Sequence, residues 1–349
     1  LTSGGDCPGL NAAIRGVAKA SYGMFDCDII GIRDGFKGLI HGDYKIMTPL
    51  DFSGILIRGG TILGTSRTPY KKMRKIEEDG IDKIKKMRET YKKLNLDCLI
   101  ILGGNGTHKN ANLLREEGLH VIALPKTIDN DIWGTDESFG FHSAVDIAAE
   151  VIDRIHTTAD SHDRVMLVEL MGHKAGWLTL HAGLAGGADV ILIPEIPYHT
   201  ERVLEALSER HKTKNFSILA VAEGALSQEE FYMKRKQVKR EREKRKCPSV
   251  SYCLAEEIRD KLGLETRVTI PGYQQRGGSP SPYDRVLATQ LGAYAAKLVK
   301  EENYGKTVSI VNNRVKATPL GEVAGKLKLV DEEHVLIQTG KLIGINFGE

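Results

Sequence analysis

CLIILGGNGTHKNANLLREEGLHVIALPKTIDND, residues 98–131, carries two apolar runs, Cys98–Leu102 and His120–Leu124, on either side of a stretch with helical periodicity, Lys109–Glu116. Near-continuous Val, Ile and Leu is what a strand covered on both faces requires. Strand, helix and strand in that order form a parallel α/β unit. The alternation continues outward in both directions. Asp28–Arg33, Val165–Leu170, Val190–Ile193 and Ser217–Ala222 are further candidate strands, and Asn11–Tyr22, Ile81–Leu94, Phe141–Thr157, Thr200–Glu209 and Pro282–Lys300 are candidate helices. The prediction is an α/β fold built on parallel sheets.

Length and charge narrow the class. The 349 residues allow about two domains. With 49 basic and 46 acidic residues, the net charge of +3 points to neither a nucleic-acid nor a membrane partner. Five cysteines, at 7, 27, 98, 247 and 253, form neither a disulfide framework nor a zinc pattern, and a reducing cytoplasm is expected. No apolar stretch is long enough for a membrane span. Leu1-Thr2-Ser3 is expected to be the end of a strand entering a loop, with further residues upstream.

In open α/β sheets ligands bind beyond the carboxyl ends of strands, and three loops there have unusual composition. Gly4-Gly5-Asp6-Cys7-Pro8-Gly9 leads into a helix, where amide N–H groups can cradle a phosphate. A tight turn with no ligand is the alternative. Gly103, Gly104 and Gly106 surround Asn105, with Thr107 opening the next helix. Two such loops on neighbouring strands would make a two-sided phosphate site. Neither has P-loop spacing, Gly305-Lys306-Thr307 lacks the leading glycine, and GxGxxG is absent. The third loop, Pro125–Asp131, sets Asp129 and Asp131 two apart, after Thr127 and around Asn130. Paired carboxylates can divide proton acceptance from metal binding, as phosphoryl transfer needs; an Asx-rich turn is the alternative. Arg67 and Arg276 sit in glycine-flanked loops, and Arg164 and Arg267 each begin an apolar run. Arginine binds phosphate bidentately.

These residues resemble the 6-phosphofructokinases. The matching stretches are LTSGGDCPGLNAAIRG (1–16), RGGTILGTSR (58–67), ILGGNGT (101–107), LPKTIDNDIWGTD (124–136), SHDR (161–164), VELMGHKAGWLTL (168–180), AEG (222–224) and QRGGSPSPYDR (275–285). The pairing of TIDND with QRGGSP is the specific part. The resemblance implies a two-lobed fold with a central active-site cleft. Residues 1–140 with 276–325 would hold the phosphoryl donor, and residues 141–275 with 326–349 would hold fructose 6-phosphate. It implies magnesium-dependent transfer of the ATP γ-phosphoryl to the sugar 1-hydroxyl. Asp129 matches the base, Thr127 a residue that contacts the sugar and stabilises the moving phosphoryl, and Asp131 a support for the base and a magnesium ligand; Arg67 joins this catalytic set, and Thr127 and Asp129 also belong to the sugar-binding set. Gly5, Arg67, Thr68, Gly104, Asn105, Gly106, Thr107 and Lys126 match donor contacts. Met171, Gly172, His173, Glu223, Tyr273, Gln275 and Arg276 match sugar-phosphate contacts. Arg164 and Arg267 match arginines that reach the 6-phosphate from a neighbouring subunit, implying a homodimer or homotetramer.

The chain departs from the family pattern at several of these positions. Asn105 replaces a usual Asp magnesium ligand, His173 a usual Arg, and Tyr273 a common His. Arg15 matches the bacterial effector site, but Lys19, Pro49 and His156 stand where three arginines would be. Pyrophosphate-using members usually carry Asp at the position of Gly106 and Lys at that of Lys126. Gly106 leaves the nucleotide path open and favours ATP; pyrophosphate is the alternative. A non-catalytic sugar-phosphate sensor is a second alternative, against which the retention of Thr127, Asp129 and Asp131 argues. The basic run Lys234–Lys246 is expected to be a solvated helix on an inserted arm.

Overall fold

The structure, a computed structural model, describes residues 1–349 apart from the side chain of Arg235. The chain divides into two compact units, Leu1–Ser143 with Arg276–Lys328, and Ala144–Gln275 with Leu329–Glu349.

The first unit is built on a five-stranded sheet of β1 (Thr2–Ser3), β4 (Leu99–Gly103), β5 (Val121–Pro125), β10 (Lys306–Val311) and β11 (Arg314–Pro319), in the spatial order β1-β4-β5-β10-β11. The first four strands are parallel, and β11 pairs antiparallel with β10. The β10–β11 turn is Asn312-Asn313, with φ of 51° and 58°. A two-residue hairpin whose twist matches its strands needs positive φ at both positions, which asparagine tolerates. Leu99, Ile101, Val121 and Ala123 from the sheet pack with Met87, Leu113 and Leu114 from the flanking helices Lys83–Lys93 and Asn105–Glu116.

Two expectations are corrected here. The run at Asp28–Arg33 is a strand, β2 (Ile29–Ile32), but it pairs antiparallel with β3 (Tyr44–Met47) in a separate two-stranded sheet. The helix read as Lys109–Glu116 begins at Asn105, with Gly104 as its extended N-cap. Thr107 therefore lies inside the first helical turn, where the amides of Asn105 and Gly106 have no intrahelical acceptor.

The second unit has a four-stranded parallel sheet, β7 (Val190–Leu192), β8 (Ser217–Ala222), β6 (Val165–Leu170) and β9 (Thr266–Thr269), in that spatial order. Leu167, Leu219 and Val221 pack with Val203, Leu254 and Ile258 of its helices. The basic run forms the helix Arg235–Lys244. It is docked rather than wholly solvated: Val238 is buried. Arg242 donates to both oxygens of Glu230 at 2.7 and 2.6 Å and to Ala225 O at 3.0 Å. Lys236, Lys239 and Arg240 are exposed.

Candidate active site

Strand register brings the three loops of the first unit together. Ser3 pairs with Gly103, and Gly103 with Pro125, so all three loops leave the sheet side by side at its carboxyl edge. The first loop is tied to the Thr65–Arg67 segment by Gly4 N–H to Ser66 O (3.0 Å), Thr65 Oγ1 to Gly4 O (2.8 Å) and Ser3 Oγ to Ser66 O (3.2 Å). Gly5 lies under two guanidinium groups. A side chain at residue 5 would begin 2.7 Å from Arg276 Nη1 and 3.4 Å from Arg67 Nη2. Arg276 also donates to Asp6 O at 3.2 Å, and the Lys126 ammonium donates to Gly5 O.

Lys126, Arg67 and Arg276 thus converge on one glycine, a concentration of positive charge with no carboxylate hydrogen-bonded to it among the described residues. Lys126 is buried, and desolvation pulls its pKa below the usual lysine range. A buried cation of this kind is stabilised by an anionic ligand. Thr68, next in sequence to Arg67, has its carbonyl held by Asn110 Nδ2, which donates to it at 2.8 Å. His108, which the sequence reading did not single out, holds the second loop from below. Its Nδ1 bonds Gly104 O (3.0 Å) and its Nε2 bonds Thr307 Oγ1 (2.9 Å), and burial lowers its pKa to about 4.

The carboxylate loop is fixed by its own polar groups. Asp129 N–H donates to Thr127 Oγ1 (3.1 Å), Ser138 Oγ donates to Thr127 O (2.9 Å), and Ser138 N–H donates to Asn130 Oδ1 (3.0 Å). Asn130 takes a φ of 50°, which explains an Asx residue between the two aspartates. Asp129 Oδ1 is buried with no hydrogen-bond partner among the described residues. Asp131 is buried too; desolvation first, and then the Asp129 charge, raise its pKa to about 6. Two close carboxylates with an unfilled acceptor atom suit a hard divalent cation, which takes oxygen ligands. Cys7, within the first loop, has a fully buried side chain, with its Sγ 3.5 Å from Phe139 O and its pKa pushed up to about 12 by burial.

In the second unit, five predicted residues meet at the carboxyl ends of β6 and β8. Glu223 N–H donates to Leu170 O (2.8 Å), and its carboxylate accepts from His173 N–H (2.8 Å). Met171 N–H donates to the fully buried Gln275 Oε1 (3.2 Å). Gly172 has a φ of 148°, and a Cβ there would lie 2.6 Å from Ala175 O, so only glycine fits this turn. Glu195, which sequence reasoning missed, braces the same turn by accepting from Gly176 N–H (2.9 Å) and Val330 N–H (3.0 Å). Tyr273 is 84% exposed. Arg164 and Arg267 are not in this group. Arg164 precedes the first residue of β6, and Arg267 pairs with Met166. Both lie at the opposite end of the strand, roughly 20 Å from Met171 at about 3.3 Å per residue. Glu265 Oε1 accepts from both, at 3.0 Å for Arg164.

A family model described as Phosphofructokinase matches residues 1–299. The chain belongs to the phosphofructokinase family. It is 58% identical over 353 residues to an ATP-dependent 6-phosphofructokinase of Spirochaeta thermophila, covering 100% of this chain and 96% of that protein. It is 44% identical over 335 residues to a pyrophosphate–fructose 6-phosphate 1-phosphotransferase of Amycolatopsis methanolica, covering 96% of each. Among solved structures it is similar to the phosphofructokinase of Pichia pastoris in the T-state, with a TM-score of 0.79 and 32% identity over 93% of this chain and 37% of that one. No helix among the described residues is long and apolar enough to cross a membrane.

Proposed function

We propose that this phosphofructokinase transfers the γ-phosphoryl group of ATP to the 1-hydroxyl of fructose 6-phosphate, giving fructose 1,6-bisphosphate as a glycolytic enzyme of the cytoplasm. The observation that carries the reading is the register Ser3–Gly103–Pro125. It sets two phosphate-cradling loops and a paired-carboxylate loop on one sheet edge. Asp129 accepts the hydroxyl proton, and its unpartnered oxygen leaves it able to do so. Thr127, Arg67 and Arg276 oppose the charge that spreads over the phosphoryl oxygens. The amides of Gly5, Gly104, Asn105, Gly106 and Thr107 receive donor phosphates. Asp131, with Asn105 beside the donor, would hold Mg²⁺, which when bound neutralises charge on the transferring phosphates.

On the acceptor side, Met171, Gly172, His173, Glu223, Tyr273, Gln275 and Arg276 hold the sugar phosphate. Arg164 and Arg267 serve the 6-phosphate of a neighbouring subunit's site, which makes the enzyme at least a dimer. Their position at the far end of β6 supports this. Pyrophosphate is the second reading, favoured by the buried Lys126, whose charge could hold its far phosphate. The test is a coupled assay for fructose 1,6-bisphosphate with Mg²⁺ and either donor. A larger kcat/KM with ATP is expected. A preference of more than tenfold for pyrophosphate would withdraw the ATP assignment, and no product from either donor would withdraw the enzyme.

A further inference from the structure

The segment Lys326–Lys328 contains none of the residues assigned above, yet it touches two of the three loops of the donor site. Its middle residue, Leu327, forms an antiparallel bridge with Ile132. Lys328 N–H donates to Asp131 O at 3.0 Å, and Lys328 Nζ donates to Asp136 O at 2.5 Å. One residue therefore holds both ends of the turn Asp131–Asp136. On the other side, Lys326 O accepts from Asn105 Nδ2, at the first position of the helix Asn105–Glu116. The carbonyl is an acceptor only, so it fixes which way the Asn105 amide points.

We propose that Lys328 is a positioning residue for phosphoryl transfer: through the strap Lys326–Lys328 it sets the distance between the carboxylate loop and the phosphate-binding helix end. This rests on the function proposed above. The sheet aligns the two loops at Gly103 and Pro125, but Asp131 lies six residues beyond its strand end, where the sheet no longer constrains it. The strap supplies the missing constraint. It also explains Asn105, because an aspartate there would set a carboxylate against the Lys326 carbonyl, acceptor against acceptor.

Trp133 makes the strap observable. It lies inside the clamped turn, 47% exposed, with Lys326 Nζ 5.9 Å from its ring centroid. The chain has only two tryptophans, so Trp177→Phe leaves Trp133 as the sole indole emitter. In that background Lys328→Met should lower kcat by about 10- to 100-fold and leave the KM for fructose 6-phosphate within about threefold. Acrylamide quenching of Trp133 should rise in the ligand-free protein. Lys328→Arg, which can still donate to Asp136 O, should recover most of the kcat and the quenching. Asn105→Asp should lower kcat and raise quenching as well. If Lys328→Met fails to melt cooperatively, Lys328→Gln carries the same comparison.

Unchanged kcat, or a loss of kcat with unchanged Trp133 quenching, would overturn the proposal. A rise in KM matching the loss in kcat/KM would show that Lys328 contacts substrate and would overturn it too. If the parent protein phosphorylates no sugar phosphate, the quenching difference still reports on the strap, so failure of the proposed function is distinguished from failure of the clamp.

Discussion

Gly106→Asp should make the protein more stable and a worse ATP user at once. Gly106 is the second residue of the helix Asn105–Glu116 and is exposed. A Cβ there meets nothing within 4 Å, and its φ needs no glycine. Replacing glycine in a helix gains roughly 0.3–0.5 kcal/mol, and an acid in the first turn adds about 0.3–1 kcal/mol through the helix dipole. The net gain of about 1 kcal/mol corresponds to a Tm increase of about 2–4 °C. In the proposed function the same carboxylate would face the phosphate path. Held roughly 5 Å from one phosphate charge at an effective dielectric of about 20, it costs about 3 kcal/mol, a hundredfold or more in kcat/KM for ATP. Thermal melting of the ligand-free protein and initial rates at varied ATP measure the two effects separately. A raised Tm with ATP kcat/KM within threefold of the parent would show that nucleotide does not pass this helix end. A lowered Tm would mean that the space beside Gly106 is not open.

Asp129→Asn keeps the shape of the loop and removes proton acceptance, so kcat should fall ~10²–10⁴-fold with sugar-phosphate binding nearly unchanged; intact turnover would exclude Asp129 as the base. Mixing Asp129→Asn subunits with Arg164→Ala subunits should restore part of the activity, because some sites then draw an intact residue from each parent, and a fully active monomer in sedimentation would contradict shared sites. Asp131 titrates near 6 in the folded protein against an ordinary 3.8, so the native state holds this proton more tightly than the unfolded chain. Ionising it costs stability that is untouched below about pH 4, lost as the pH rises to about 6, and fully lost above. Asp131→Asn should therefore stabilise the metal-free protein at pH 7.5, by up to roughly 3 kcal/mol, and leave it unchanged at pH 4; an equal effect at both pH values would rule out this origin.

The β4–helix–β5 unit was legible because Leu99–Gly103 and Val121–Pro125 are apolar throughout and end in loops whose glycines and aspartates have no role in a core. The start of the intervening helix was not. Asn105, Gly106 and Thr107 have low helix propensity, yet they fit the first helical turn, whose amides have no intrahelical acceptor. β2 was visible as a strand, but its partner Tyr44–Met47 is mostly exposed and carries a lysine, which blurs the apolar signal. The β10–β11 hairpin did carry one, the Asn312-Asn313 pair between two alternating segments. In the first unit's loops, Asp129 and Asp131 stood out by their spacing; Arg164 and Arg267 stood out by their place before apolar runs, but folding sets them at the opposite end of β6 from Met171. Glu195, His108 and Lys328 had no local signature. Each acts through a backbone or side-chain group brought close only by folding, such as Val330 N–H, Thr307 Oγ1 or Asp136 O.

Cys7 gives the first glycine loop a built-in clock. Its thiol is buried and thereby kept protonated, so an alkylating reagent can reach it only when the loop lifts away. In the fast-reclosing limit, its labelling rate relative to a free thiol measures the free energy of that opening. Followed by mass spectrometry of the Cys7 peptide, the rate should fall when donor occupies the loop. The half-buried Cys27 provides an internal reference in the same tube.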